Sequence, residues 1–143
     1  ILVDVEGQMT GIILQSQSAS SNTLTALNLS EIRPVLDLLF EKKEVPYLGL
    51  HISTVTKNIA DTYNLPKGVY VKEVAMDSPA MKAGIQSGDV ITRIGKYDVM
   101  TDLAFNKALM KLTPKEEYPI YVRRFGNEGY QEISCQIKPE VLR

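Results

Sequence analysis

The sequence predicts an α+β protein built on a partly open β-barrel of five or six strands with two or three helices. Its 143 residues are enough for one ordinary domain and a smaller fragment. Apolar residues make up 44% of the chain and charged residues 23%, which is typical of a folded protein. Short runs of alternating apolar residues are interleaved with runs of helical periodicity, and this mixture favours the α+β class.

The first 28 residues predict a β fragment. Val3, Val5 and the apolar segment 9–14 are strand-like, and Glu6-Gly7 between them indicates a hairpin. Four serines in residues 16–22 are typical of a loop, and a third strand is expected over 23–29. The chain begins inside an apolar segment, so we expect it to be a piece of a longer protein.

A helix and a linker are predicted next. Ser30 can cap a helix whose apolar residues recur at helical spacing from Ile32 to Leu39. Residues 41–46 are a charged stretch closed by proline, which is typical of a domain boundary. A second unit is therefore expected to begin near Tyr47.

The second unit alternates strands with helices. Asp77-Ser78-Pro79 has the polar cap and the proline that open a short helix, and Gly84 ends it. Thr101 caps the last helix, and Pro114 lies just beyond its end. The other predicted elements are strands 48–54, 68–75, 90–94, 118–124 and 130–137, and helices 57–63 and 102–112.

The last helix and the two closing strands are each expected to have one apolar face. Apolar residues recur on one face of the helix and at alternate positions of the strands, which meet around a turn at 126–129. The helix residues expected to face the core are Phe105, Ala108, Leu109 and Leu112. The strand residues expected to share one face of the hairpin are Ile120, Val122, Ile133, Cys135 and Ile137.

Composition and charge exclude several function classes. Lys and Arg number 16 against 17 Asp and Glu, so no broad cationic field exists to hold nucleic acid or anionic lipid. One cysteine, Cys135, and one histidine, His51, cannot build a zinc site, and they leave little for nucleophilic catalysis. No apolar run approaches the roughly 20 residues of a membrane-spanning helix. We therefore expect no catalytic residue, no metal and no cofactor in this chain.

The segment Tyr47-Leu48-Gly49-Leu50 is the best candidate for a binding site. Glycine lets the chain turn so that successive N–H groups point into one small concavity, which suits a carboxylate. If the following strand lies at a sheet edge, its unpaired N–H and C=O groups could accept a peptide as an added strand. Taken alone, such a tetrapeptide is more often an ordinary strand start than a carboxylate site, and His51 fits a half-exposed strand position better than a catalytic one.

The last helix offers an opposite wall for such a groove. With Phe105 facing the core, Leu103, Asn106 and Met110 share a neighbouring stripe that would line the groove. A stripe that contains methionine is more often core packing, so both interpretations stay open.

Five short motifs follow one another in a recognisable order over about residues 47–138. They are Tyr47-Leu48-Gly49-Leu50, Gly68-Val69-Tyr70-Val71, Ser78-Pro79-Ala80, Ala83-Gly84-Ile85 and Gly88-Asp89-Val90-Ile91. This order resembles a PDZ domain of the bacterial HtrA type. The resemblance implies that Leu48, Gly49 and Leu50 hold the terminal carboxylate of a peptide, and that His51, Ile52 and Ser53 pair with it. Ile94-Gly95-Lys96 departs from the family pattern and puts the turn there in doubt.

Residues 2–13 are similar to the strand pair that follows the nucleophile motif of HtrA-like, trypsin-fold serine proteases. The resemblance implies that the catalytic residues lie outside this chain, and that the parent protein is an extracytoplasmic serine endopeptidase, secreted or membrane-anchored. The implied domains are a C-terminal fragment of the protease barrel (1–28), a connecting helix and linker (29–46), a PDZ domain (47–138) and a tail (139–143).

The function that the resemblance implies is that of a peptide-binding regulatory module in protein quality control. It would capture C-terminal or hydrophobic segments of proteins by β-strand addition. The expected partners are C-terminal peptides or unfolded proteins, its own protease domain and other copies of itself, but not nucleic acid. Two alternatives remain: a part of an active protease that mainly positions or inhibits the catalytic barrel, and a structural domain that mediates oligomer assembly.

Overall fold

The chain divides into two compact units, Ile1–Lys43 and Glu44–Arg143. The structure, a computed structural model, describes residues 1–15 and 24–142. Helices and strands are mixed along the described residues, which confirms the α+β prediction. None of the described helices combines the length and the apolar character needed to cross a membrane.

The first unit contains a three-stranded antiparallel sheet. Its strands lie in the order β1 (Leu2–Val3), β2 (Met9–Gln15) and β3 (Leu24–Asn28). The β1–β2 turn is held by Asp4, whose carboxylate accepts the N–H groups of Glu6 at 2.9 Å and Gln8 at 2.8 Å. The predicted hairpin and third strand are therefore confirmed, while the predicted loop at 16–22 lies outside the described residues.

Helix α1 (Leu29–Phe40) follows β3 directly. Its N-cap is Asn28, whose side-chain oxygen accepts the N–H of Ser30 at 2.9 Å. The prediction that Ser30 is the cap was therefore wrong, because an asparagine two residues earlier caps at least as well as serine. None of the helix residues is buried, and Phe40 is 82% exposed.

The second unit is built on an open six-stranded sheet. Its strands are β5 (Leu50–Thr54), β6 (Val69–Val74), β7 (Val90–Ile94), β8 (Tyr97–Asp98), β9 (Tyr118–Gly126) and β10 (Gly129–Ile137). They lie in the order β10-β9-β7-β6-β5, with β8 paired to β7, so β5 and β10 form the two edges. The predicted number of strands is confirmed, and the sheet is not closed into a barrel. A small second sheet pairs β4 (Pro46–Tyr47) with β11 (Glu140–Val141), which the sequence did not predict.

Three helices complete this unit: α2 (Lys57–Tyr63), α3 (Pro79–Lys82) and α4 (Asp102–Leu109). Each begins after a hydroxyl side chain that accepts an N–H of the first turn, namely Thr56, Ser78 and Thr101. Helix α4 ends three residues before the predicted end at 112. The N–H groups of Lys111 and Leu112 donate to carbonyls only three residues back, so the chain tightens and leaves the α-helix ahead of Pro114.

The core lies between α4 and one face of the sheet. All four expected helix residues are buried, and so are Ile120, Val122 and Ile137, while Ile133 and Cys135 are half-buried. The closing hairpin pairs Ile120 with Cys135 and Val122 with Ile133, as predicted. Each fully buried aliphatic side chain stabilises the fold by about 1.5–3 kcal/mol, so this face positions the strands firmly.

Candidate functional site

The loop before β5 has a conformation that only glycine accommodates. Gly49 has φ +75°, and a Cβ placed on it would lie 2.3 Å from the Cβ of Ser78. The carbonyl of Leu48 accepts the N–H of Ala80 at 3.0 Å, and the carbonyl of Gly49 accepts the N–H of Ala75 at 2.9 Å. The loop is therefore anchored through its carbonyls to the segment that leads into α3.

Two backbone amides of this loop are unpaired within the described residues. Across residues 1–15 and 24–142, the N–H groups of Leu48 and Gly49 have no hydrogen-bond acceptor. Leu48 is only 2% exposed and belongs to the core, so its side chain holds the loop in place. Unpaired amides near a protein surface are strong donors, and a carboxylate satisfies several of them at once.

Strand β5 has one open edge, since it pairs only with β6 among the described strands. The N–H of Ala75 donates to the carbonyl of Gly49, and the N–H of Val55 donates to that of Gly68, at the two ends of this ladder. Backbone groups of successive residues point to alternate sides in an antiparallel pair. Residues 49, 51, 53 and 55 therefore face β6, and Leu50, Ile52 and Thr54 direct their N–H and C=O groups to the open edge.

The register between β5 and β6 is irregular, but the irregularity lies on β6. His51 is opposite Glu73 and Ile52 is opposite Val71, so Lys72 is the extra residue. The alternation along β5 is uninterrupted as a result. Of the three strand residues expected to pair with a ligand, Ile52 presents its backbone groups to the open edge, while His51 and Ser53 use theirs within the sheet.

A cleft of about 330 Å³ lies where the loop meets β5 and β6. It is lined by Tyr47, Gly49, Leu50, His51, Glu73 and Ala75. This volume is at the lower limit for small-molecule sites, and it suits one or two side chains of a longer ligand. Four of the residues predicted from the sequence are thus brought together, and Glu73 and Ala75 were missed.

The start of helix α4 is tied to the end of β5. The hydroxyl of Thr54 accepts the N–H of Asp102 at 2.9 Å and donates to the carboxylate of Asp102, also at 2.9 Å. Both bonds use the side chain of Thr54 and leave its outward backbone groups untouched. The strand and the helix are therefore fixed as neighbours on one side of the open edge.

The three helix residues predicted to line a groove do not line this cleft. Leu103 is half-buried and Asn106 is exposed, both on α4. Met110 is the residue that caps the C-terminus of α4, and it packs against the core. The prediction that Met110 lies within the helix was wrong, because the helix ends earlier than expected.

The described residues contain no group of three His, Cys, Asp or Glu side chains placed to hold a metal ion. The chemistry offered by the cleft is therefore that of backbone amides, an open strand edge, the imidazole of His51 and the carboxylate of Glu73. Such groups are able to form hydrogen bonds and electrostatic contacts.

An open α+β sheet, a glycine loop with free amides and an adjacent edge strand together define a domain of the PDZ class. Residues 46–135 match the family model described as PDZ domain, and the chain belongs to that family. The chain is also similar, over more than these residues, to serine proteases of the HtrA and DegP type.

Among the curated relatives is the serine protease Do-like HtrB of Bacillus subtilis, which is 33% identical over 140 residues. That match covers 87% of this chain and 30% of the relative. A DegP-like periplasmic serine endoprotease of Hahella chejuensis is 29% identical, with 89% of this chain and 29% of the relative covered. The chain thus spans about 30% of the length of these relatives.

Two solved structures share the fold. The HtrA3 PDZ domain bound to a phage-derived ligand (FGRWV) is 30% identical, with a TM-score of 0.57 over 68% of this chain and 86% of that one. The HtrA-type protease AlgW with decapeptide is 22% identical, with a TM-score of 0.62 over 99% of this chain and 44% of that one. The second likeness shows the fold of the chain beyond the PDZ domain.

Proposed function

We propose that the second unit binds the C-terminal segments of other proteins by adding them as a strand to β5. The observation that carries this proposal is the position of the free amides of Leu48 and Gly49 immediately before an open strand edge. A peptide that ran antiparallel to β5 would bring its last residue beside Leu50. Its carboxylate would then lie at the amides of the loop.

The two apolar side chains of β5 favour a ligand whose C-terminal residues are apolar. Leu50 and Ile52 are half-buried and pack against the core on the side of α4. Residues directly opposite each other in an antiparallel pair share a face, so the last and third-last ligand residues would lie on this apolar side. We expect affinities near the micromolar range, about 8 kcal/mol, because ordering the peptide offsets much of the gain.

We further propose that the chain is the regulatory part of an extracytoplasmic serine endopeptidase. Its similarity to HtrB and to the DegP-like endoproteases supports this assignment, and the latter are described as periplasmic. The exposed apolar side chains of the first unit, Val3, Val5 and Phe40 among them, suit a segment that packs against further residues of a longer protein. Peptide capture at β5 would then regulate or supply the protease domain.

The role of the ligand's terminal carboxylate is tested by titrating the 143-residue chain with one peptide in two forms, a free acid and a C-terminal amide. We expect the free acid to bind at least tenfold more tightly, because the amide removes the charge and one acceptor oxygen. Equal affinities would contradict the role of the Tyr47–Leu50 loop.

Strand addition is tested by N-methylation of the same peptide, one residue at a time. The register predicts that methylation of the last or third-last N–H prevents binding, because these groups face Leu50 and Ile52. Methylation of the penultimate N–H, which points away from β5, serves as the matched control and leaves affinity within about twofold. Uniform sensitivity at all three positions would exclude this binding mode.

A further inference from the structure

Glu73 places a negative charge in the cleft beside the loop. Its side chain is exposed and lines the cleft together with His51, its direct partner across the β5–β6 pair. In the described part of the chain, the carboxylate of Glu73 forms neither an ion pair nor a side-chain hydrogen bond. The charge is thus available to a ligand.

The geometry points to the ligand residue that this charge would meet, given the proposed function. If the last residue of a bound peptide lies opposite Leu50, the penultimate residue lies opposite His51. Side chains directly opposite each other project from the same face of a sheet, and diagonal neighbours remain within reach of long side chains. The penultimate side chain would therefore project on the side of His51 and Glu73, away from the core.

We propose that Glu73 selects ligands with lysine or arginine as the penultimate residue. The charged nitrogens of lysine and arginine lie four or five bonds from Cβ. A side chain of this length reaches across β5 to the carboxylate of Glu73 on β6, which a short polar side chain does not reach. An acidic residue at the same position would meet an uncompensated negative charge. The ligand class is thus a protein C-terminus with an apolar last residue and a basic residue before it.

The other charged groups near the cleft do not reverse this preference. Among the six residues that line the cleft, Glu73 is the one with a carboxylate, and none is lysine or arginine. Lys72 is exposed beside Glu73 in sequence, but it is the extra residue of the bulge and does not line the cleft. Because Glu73 is exposed, the preference should be modest, about threefold to fivefold in affinity over a neutral residue, and weaker at high salt.

The test uses three free-acid peptides that end in valine and differ only at the penultimate residue, which is lysine, glutamine or glutamate. The 143-residue chain and its variants Glu73→Gln and Glu73→Lys are titrated with each peptide. Glu128→Lys is the control, since it changes the net charge by as much as Glu73→Lys does but lies in the exposed turn between β9 and β10. We expect the order lysine, glutamine, glutamate for the wild type and the control, no preference for Glu73→Gln, and the reverse order for Glu73→Lys.

Two outcomes would overturn this inference while the proposed function stands. One is equal affinity of the wild type for the three free acids, all of which bind more tightly than their amides. The other is a lysine preference that persists in Glu73→Gln. Failure of every free acid to bind, or equal binding of acids and amides, would instead remove the proposed function and the inference with it.

Discussion

Asp89 and Arg124 form a two-point ion pair between the start of β7 and strand β9. The guanidinium Nε lies 2.7 Å from one carboxylate oxygen of Asp89, and a terminal nitrogen lies 2.8 Å from the other. Arg124 also donates to the carbonyl of Gly84 at 2.7 Å, and Asp89 accepts the N–H of Gln86 at 2.9 Å. The hydrogen bond to Asp89 raises the pKa of Arg124 above its ordinary value, so the guanidinium stays charged whenever the domain is folded.

Replacing Arg124 should destabilise the domain strongly. Asp89 is only 1% exposed, so Arg124→Leu leaves a buried carboxylate with the N–H of Gln86 as its remaining donor. We expect the free energy of unfolding to fall by about 3 kcal/mol, measured by urea denaturation at neutral pH. Arg123→Leu, an exposed neighbour on the same strand, should change it by less than about 0.5 kcal/mol. Equal effects of the two substitutions would contradict the structural role of the pair.

Gly49→Ala should destabilise the domain itself, in the absence of any ligand. The positive φ alone costs about 1 kcal/mol or more, and the contact with the Cβ of Ser78 cannot be relieved by turning a side chain. We expect a total loss of about 2 kcal/mol or more, visible as a lower melting temperature. Gly126→Ala is the control, because the nearest atom to its added Cβ is 3.8 Å away.

A second substitution separates the contact from the backbone strain. Ser78→Gly removes the obstructing Cβ and costs only a few tenths of a kcal/mol as a helix cap. In the Gly49→Ala background it should therefore recover part of the lost stability. If the Gly49→Ala variant has the same melting temperature as the wild type, the close approach of Gly49 to Ser78 is refuted.

Thr54→Val should loosen the start of helix α4. The substitution keeps the shape of the side chain but removes both hydrogen bonds to Asp102. We expect a loss of about 1–2 kcal/mol in the free energy of unfolding, with faster hydrogen exchange at the N–H of Asp102. Thr54→Ser keeps the hydroxyl and should retain slow exchange there. Faster exchange in both variants, or in neither, would show that the hydroxyl does not hold the helix.

Most elements of the fold could be predicted from the sequence because each depends on residues close together in the chain. The caps Ser78 and Thr101 and the periodicity of α4 are signals within a few residues. Gly49 could be singled out on the same basis, since a glycine between leucines before a strand indicates a special backbone conformation. Strands β4 and β11 were missed because two residues each are too short to show a pattern.

The residues that distant strands bring together could not be predicted from such local signals. Glu73 lies in a valine-rich strand and carries no local signal; only the register of β5 against β6, shifted by the extra residue Lys72, brings it to His51. In the same way, nothing local distinguishes Arg124 from Arg123 as the partner of Asp89. The pleat of β9 decides between them, because adjacent residues of a strand project from opposite faces.

The sequence by itself determined the class of the domain, the glycine loop and the absence of a strong overall charge, because motif order, turn chemistry and composition are properties of the chain. Only the tertiary structure decided that β5 lies at a sheet edge, that its even-numbered residues face outward and that Glu73 lies in the cleft. The physical reason is that strand order and register are set by pairings between distant residues, and a shift of one residue would exchange every inward group for an outward one.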